Sequence, residues 1–120
     1  MIDKNIRVGW LLDFYGEFLT EKQRSLLEMH YNEDLSLGEI AERAGITRQG
    51  VHDALRRGSE ILESCEERLK LMERYLKVKS GLSGINAFLD GKAELDNAAT
   101  AELRQKLADI TNVWEGNDGL

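Results

Sequence analysis

Proline is absent from the 120 residues, and cysteine occurs once, at Cys65. Without proline nothing forbids long helices, and the abundance of Glu, Lys, Leu, Arg and Ala favours them. A lone cysteine cannot close an internal disulfide, which fits a reducing, cytoplasmic location. No uninterrupted apolar run approaches the ~20 residues that a membrane-crossing helix needs, so no membrane partner is expected. The opening Met1-Ile2-Asp3-Lys4-Asn5 lacks the apolar stretch and cleavage pattern of a secretory signal. His30, His52 and Cys65 do not have metal-ligand spacing. Neither a Gly-rich phosphate loop nor a nucleophile motif is present. Glu33-Asp34 and Glu66-Glu67 are adjacent pairs whose members point to different sides of a helix, so they read as solvated charges. These absences leave no catalytic residue, cofactor or metal to assign, and a non-enzymatic binding protein is the expectation.

What remains is a helical protein. Hydrophobic residues make up 42% of the chain and charged residues 32%, enough for one compact core under a well-solvated surface. The net charge of −6 argues against a general nucleic-acid coater, since polyanions are repelled at long range. Its distribution is uneven: −3 over 1–35, +1 over 36–58, balanced over 59–80 and −4 over 81–120.

Residues 5–19 read as a first helix, with Leu11, Phe14, Tyr15 and Phe18 on one buried stripe. Thr20 and Gln23 form a capping box that opens a second helix running to about Tyr31, with Leu26, Leu27 and His30 on its inner side. Asn32-Glu33-Asp34 breaks the pattern. Ser36 and Glu39 make another capping box, Gly45 stops the short helix that follows, and Thr47 caps a fourth.

From Arg48 no strong stop appears until Ser80-Gly81. Leu55, Gly58, Leu62, Cys65, Leu69, Met72 and Leu76 alternate three- and four-residue steps, a heptad seam. A continuous helix over 48–79 would be ~48 Å long, against a radius of gyration of ~14 Å for a compact domain of this size. It therefore bends, most cheaply at Gly58, or projects. The seam is either a core stripe within one chain or a homodimer contact through Leu55, Leu62, Leu69, Met72 and Leu76. Gly81, Gly84 and Gly91 mark a loop-rich stretch, and a last helix over about 97–114 carries Leu103, Leu107, Ile110 and Trp114 on one face, before a frayed Glu115–Leu120. The domain expectation is 1–80 as a helix-turn-helix with a long helix, and 81–120 as a helical extension. Trp10 and Trp114 read as core anchors or, alternatively, interface residues.

The motif that carries function is LGEIAERAGITRQGVHDALR, beginning at Leu37. Two short helices crossing steeply share little area, so each apolar position must face inward. Ile40, Ala44, Ile46, Val51 and Ala54 fall at those positions, Ala41 where the helices cross, and Gly45 in the turn. Thr47 then starts the helix that enters a DNA major groove in such proteins. Its exposed face would carry Arg48, Gln49, His52, Asp53 and Arg56, with Arg57 at the flank. Arg48 or Arg56 can fork onto guanine and Gln49 onto adenine, each worth ~1–3 kcal/mol of discrimination. Asp53 is a poor neighbour for phosphate, and so few cations would bind duplex weakly and salt-sensitively without a dimer or a tether. The other reading is that the geometry serves protein binding or structure alone.

The strings DFY, LTEKQ, DLSLGEIA and TRQGV, within Leu11–Leu69, resemble the YlxM-like bacterial helix-turn-helix family; residues 36–58 are also similar to region 4 of sigma factors. Asp13, Phe14, Tyr15, Thr20, Lys22, Gln23, Asp34, Leu35, Ser36, Leu37, Glu39, Ile40, Ala41, Arg48, Gln49, Val51 and Asp53 match the family pattern. Gly50 departs from the usual Ala, and His52 from the usual aromatic. The family's genes lie beside those of the signal recognition particle GTPase. The resemblance implies an all-α, sigma region 4-like fold and a role in regulating that pathway, by binding the particle's GTPase, its RNA, or both. A recognition helix cannot read the deep, narrow groove of A-form RNA, so contact there would use phosphates through Arg48, Arg56 and Arg57. A sequence-specific DNA-binding regulator is the alternative.

Overall fold

The computed structural model describes residues 3–92 and 94–115. Among them are six helices and no strand: α1 Lys4–Tyr15, α2 Glu21–Tyr31, α3 Leu37–Ala44, α4 Arg48–Leu69, α5 Leu71–Asp90 and α6 Asn97–Glu115. The all-α expectation, with a helix-turn-helix and a helical tail, holds. The chain divides into two compact units, Met1–Met72 and Glu73–Leu120.

Local chemistry sets most of the boundaries in the first unit. Asp3 caps α1 by accepting from the Asn5 amide at 2.8 Å. The Thr20 hydroxyl accepts from the Gln23 amide at 3.1 Å while the Gln23 carbonyl accepts from the Thr20 amide at 3.0 Å. Ser36 and Glu39 repeat that exchange at α3 with the same distances. Gly45 takes φ +70°, the left-handed conformation that a Cβ disfavours, and its amide donates to Ala41 O at 2.9 Å.

The first helix stops earlier than expected. A 3-10 turn over Gly16–Phe18 follows α1 and redirects the chain. Leu19 then points inward at 8% exposure while Phe18 is 64% exposed, which corrects its placement on the buried stripe. Around α4 the interior is completed by Val8, Leu11, Leu12 and Tyr15 of α1, Leu26 and Leu27 of α2, and Ile40 and Ala41 of α3. Leu55 and Leu62 of α4 are buried among them, so the seam is a core stripe here. Met72 is buried too, so Leu55, Leu62 and Met72 are not free to join Leu69 and Leu76 in a homodimer contact while the fold is intact. α4 runs through Gly58 without a break. A Cβ there would lie 2.7 Å from Leu27 Cδ1, so glycine lets α2 and α4 approach closely.

The long helix breaks at Lys70, not near Ser80. Lys70 adopts φ 56°, ψ 30°, and its amide donates to Glu66 O at 2.8 Å. The expected solvated pair Glu66-Glu67 is split: Glu67 is exposed, but Glu66 is buried at 7% exposure. The Tyr15 hydroxyl donates to Glu66 Oε1 at 2.5 Å and accepts from the Leu71 amide at 2.9 Å. The Met72 amide donates to the same Glu66 oxygen at 3.0 Å. Two first-turn amides of α5 thus find oxygens in the interior, which satisfies groups that would otherwise be orphaned. Burial, and then the hydrogen bond to Glu66, push the Tyr15 phenol up to about 12.

In the second unit α5 continues as helix through Gly81 and Gly84, correcting the loop-rich reading of that stretch. A Cβ on Gly81 would lie 2.6 Å from Ile110 Cγ1, so this glycine admits α6. The Lys92 and Lys106 ammoniums sit 5.3 and 5.6 Å from the Phe88 ring centroid. Asp96 opens α6 by accepting from the Ala99 amide at 2.7 Å. α6 occupies nearly the span its periodicity predicts, and of the expected frayed end, 116–120 lies outside the described residues. Trp10 and Trp114 are 37% and 69% exposed, so neither anchors a core.

Candidate functional site

The helix-turn-helix is α3, the turn at Gly45, and the first half of α4. Of its five expected inward positions, Ile40 and Val51 are fully buried, Ile46 and Ala54 are half-buried, and Ala44 is exposed. Ala44 is the last residue of α3, so it stands at the solvent edge of the crossing, and Ala41 takes the close contact.

Thr47 caps α4 with its hydroxyl, which accepts from the Gly50 amide at 2.9 Å. A Cβ on Gly50 would stand 3.1 Å from that hydroxyl oxygen, so an alanine at this position would crowd the cap. Behind the cap, Arg48, Gln49, His52, Arg56 and Arg57 are all exposed, and Asp53 is half-buried. The predicted residues therefore share one accessible stretch of helix, whose amino-terminal end also carries the positive end of the helix dipole.

Much of that surface is internally neutralised. The Gln49 amide donates to Asp53 Oδ1 at 3.0 Å, and His52 Nδ1 lies 3.8 Å from the same oxygen. Arg56 Nη1 donates to Glu60 Oε1 at 3.0 Å. These are exposed pairs, each worth ~0–1 kcal/mol, and a partner can open them at little cost. Among the described residues, Arg48 and Arg57 form no ion pair, so they are the cations most ready for a phosphate or carboxylate.

Sequence periodicity gave no sign of the groove beside this face. About 680 Å³ lies over Val8, Leu37 and Leu55, with His52 and Arg56 on its rim. Arg7, also lining it, donates through Nε and Nη2 to the two Glu63 oxygens at 2.7 and 2.8 Å. That fork holds Glu63 below and Arg7 above their usual ranges, chiefly by the shared hydrogen bonds. Lys4, Arg7 and Glu63 meet His52 only through tertiary packing, and no local motif announces them. His30 sits at the core edge as expected, with Nδ1 2.9 Å from Leu35 O. Cys65 is half-buried. Among the described residues no group of three or more His, Cys, Asp or Glu side chains is placed to hold a metal ion, and no helix is long and apolar enough to cross a membrane.

A capped recognition helix presented by a second short helix across a left-handed glycine defines a helix-turn-helix protein. The chain belongs to the UPF0122 family, described as "Putative helix-turn-helix protein, YlxM / p13 like", which matches residues 2–103. It is similar to the UPF0122 protein of Halalkalibacterium halodurans, 41% identical over 115 residues, covering 96% of this chain and 100% of the relative. A Clostridium kluyveri UPF0122 protein is 43% identical over 97 residues, covering 81% and 87% of the two chains. That of Latilactobacillus sakei is 37% identical over 112 residues, covering 93% and 96%.

Proposed function

We propose that this chain is a non-enzymatic, cytoplasmic accessory protein of the signal recognition particle pathway, which engages the particle's GTPase, its RNA, or both through the exposed face of α4. The observation that carries the reading is the site itself: Thr47 caps a helix whose Arg48, Gln49, His52, Arg56 and Arg57 all reach solvent. The self-paired Gln49–Asp53 and Arg56–Glu60 favour a partner met by shape and a few charges over a duplex gripped by many phosphates. The pathway comes from the family resemblance.

The test uses purified particle GTPase with and without its RNA. Added chain changes the hydrolysis rate, and the combined Arg48→Ala, Arg57→Ala variant diminishes the change. If the chain binds neither component and leaves the rate alone, the reading fails.

One observation favours the DNA reading. Arg48 and Gln49 are exposed in the first turn of α4, where recognition helices meet base edges. A DNA reader selects a defined duplex from a random pool and changes its preferred bases on Gln49→Ala. An enriched pool that shows no consensus argues against it.

A further inference from the structure

The α5–α6 unit is a two-helix layer with one face left over. Among its described residues only Ile85 and Ala99 are buried, while Leu82, Leu107 and Trp114 are 50%, 48% and 69% exposed and Leu89 39%. The direction each helix turns towards the other is fixed by Gly81 against Ile110, and by the cleft that Lys77, Gly84, Lys106 and Val113 line. At ~3.6 residues per turn, Leu82 and Leu89 lie about a quarter of a turn round α5 from Gly81 and about two-fifths of a turn from Gly84, in the same sense. Leu107 and Trp114 lie about as far round α6 from Lys106 and Val113. Because the helices run antiparallel, the two rotations bring both stripes to the same side of the layer. Each stripe repeats at seven residues, the spacing of a helix that packs along its length against another.

We propose that this face is a homodimer interface, on which a second copy of the chain lays its own α5–α6 face to close a four-helix bundle. Size supports a copy as the occupant. Two helices ~28 Å long and about 8–10 Å apart present on the order of 600 Å² before side-chain relief, near the ~800 Å² per partner of a stable interface.

Charge supports it as well. About a two-fold axis parallel to the helices, each α5 lies antiparallel over the other copy's α6. The outer edge of α5 carries Lys79 about midway and Asp90 at its end, and that of α6 carries Arg104 about midway and Glu115 at its end. The antiparallel overlay sets Lys79 towards Glu115 of the second copy and Asp90 towards Arg104. Opposite signs meet in both pairs, an arrangement that selects this pairing over a reversed one. The contact differs from a seam through Leu55 and Leu62, which the core of the first unit occupies.

Equilibrium sedimentation of the full chain tests this. The expected species is a dimer of the 13.6 kDa chain at micromolar concentration. Leu107→Glu and Trp114→Glu should each raise its dissociation constant about tenfold or more, because each replaces an exposed apolar anchor of the face with a charge. Asp90→Arg should weaken it several-fold, and adding Arg104→Asp should restore it. The charge swap also decides the matter if the apolar variants lose helix. A monomer at all concentrations overturns the proposal and assigns the face to a different occupant. A dimer indifferent to Leu107→Glu and Trp114→Glu, or a swap that fails to restore pairing, overturns it too.

Discussion

In the first unit, Leu11, Tyr15, Leu27, Ile40, Val51 and Leu62 are all excluded from solvent, whereas in the described part of the second no large side chain is, and the most covered residues are Ile85 and Ala99. Both units are helical and both are rich in leucine. The difference is the number of layers. Three helices wrap α4 in the first unit, so its apolar stripe is closed from several sides. In the second, α5 and α6 cover one another along a single line, and each keeps a stripe exposed. Helical propensity builds both, but it is burial that makes a domain self-sufficient.

The contrast can be broken most directly at the core. Leu62→Ala should cost ~2–5 kcal/mol of unfolding free energy, as large-to-small changes at filled positions do. Leu107→Ala should leave the first unit's transition where it is, and equal losses in chemical denaturation would show the two units to be one cooperative block. Tyr15→Phe comes next, at ~1–3 kcal/mol, because it removes a hydroxyl that serves Glu66 and the Leu71 amide in the interior. This variant has a pH signature. The Tyr15 pKa is raised from 10.0 to about 12 in the folded protein, so the neutral phenol is the stabilised form. Its contribution is whole below pH 10 and disappears as pH rises towards about 12, so the wild-type advantage over Tyr15→Phe should shrink across that window. A gap that stays constant to pH 12 would contradict the hydrogen-bond assignment.

Smaller effects sharpen the comparison within the site. Thr47→Ala should cost ~1 kcal/mol and fray the first turn of α4, weakening any partner that needs Arg48 and Gln49 in register. Amide exchange at Gly50 would report it, and unchanged protection there would refute the cap's importance. The smallest effect belongs to half-buried Arg7 and exposed Glu63. A double-mutant cycle to alanine should give no more than ~1 kcal/mol, declining with added salt.

Reading the sequence worked where the determinant is local. Thr20/Gln23, Ser36/Glu39, Gly45 and Thr47 each act within four residues of themselves, and each sits where its chemistry placed it. The exposed site residues follow from the same register, which is why Arg48, Gln49 and Arg56 were legible as surface. The misses share a different cause. Lys70 carries no turn signal, and the break there depends on Tyr15, far away in sequence, meeting Glu66 in the core. Gly58 and Gly81 look like breakers until Leu27 and Ile110 are seen pressed against them. Phe18 and Trp114 satisfy a periodic pattern but reach solvent, because periodicity names a stripe without naming what covers it. The groove beside His52 depends on α1 lying along α4, which no window of local sequence contains.

The oxygens of Tyr15 and Glu66 also dictate where the helix-turn-helix can be excised. A fragment cut after Leu69 would keep the interior carboxylate but discard the Met72 amide that donates to it, together with the Leu71 amide that donates to Tyr15. A cut a turn or more beyond Met72 retains both. A fragment that keeps these two bonds therefore ends inside α5, not at the kink the eye would choose.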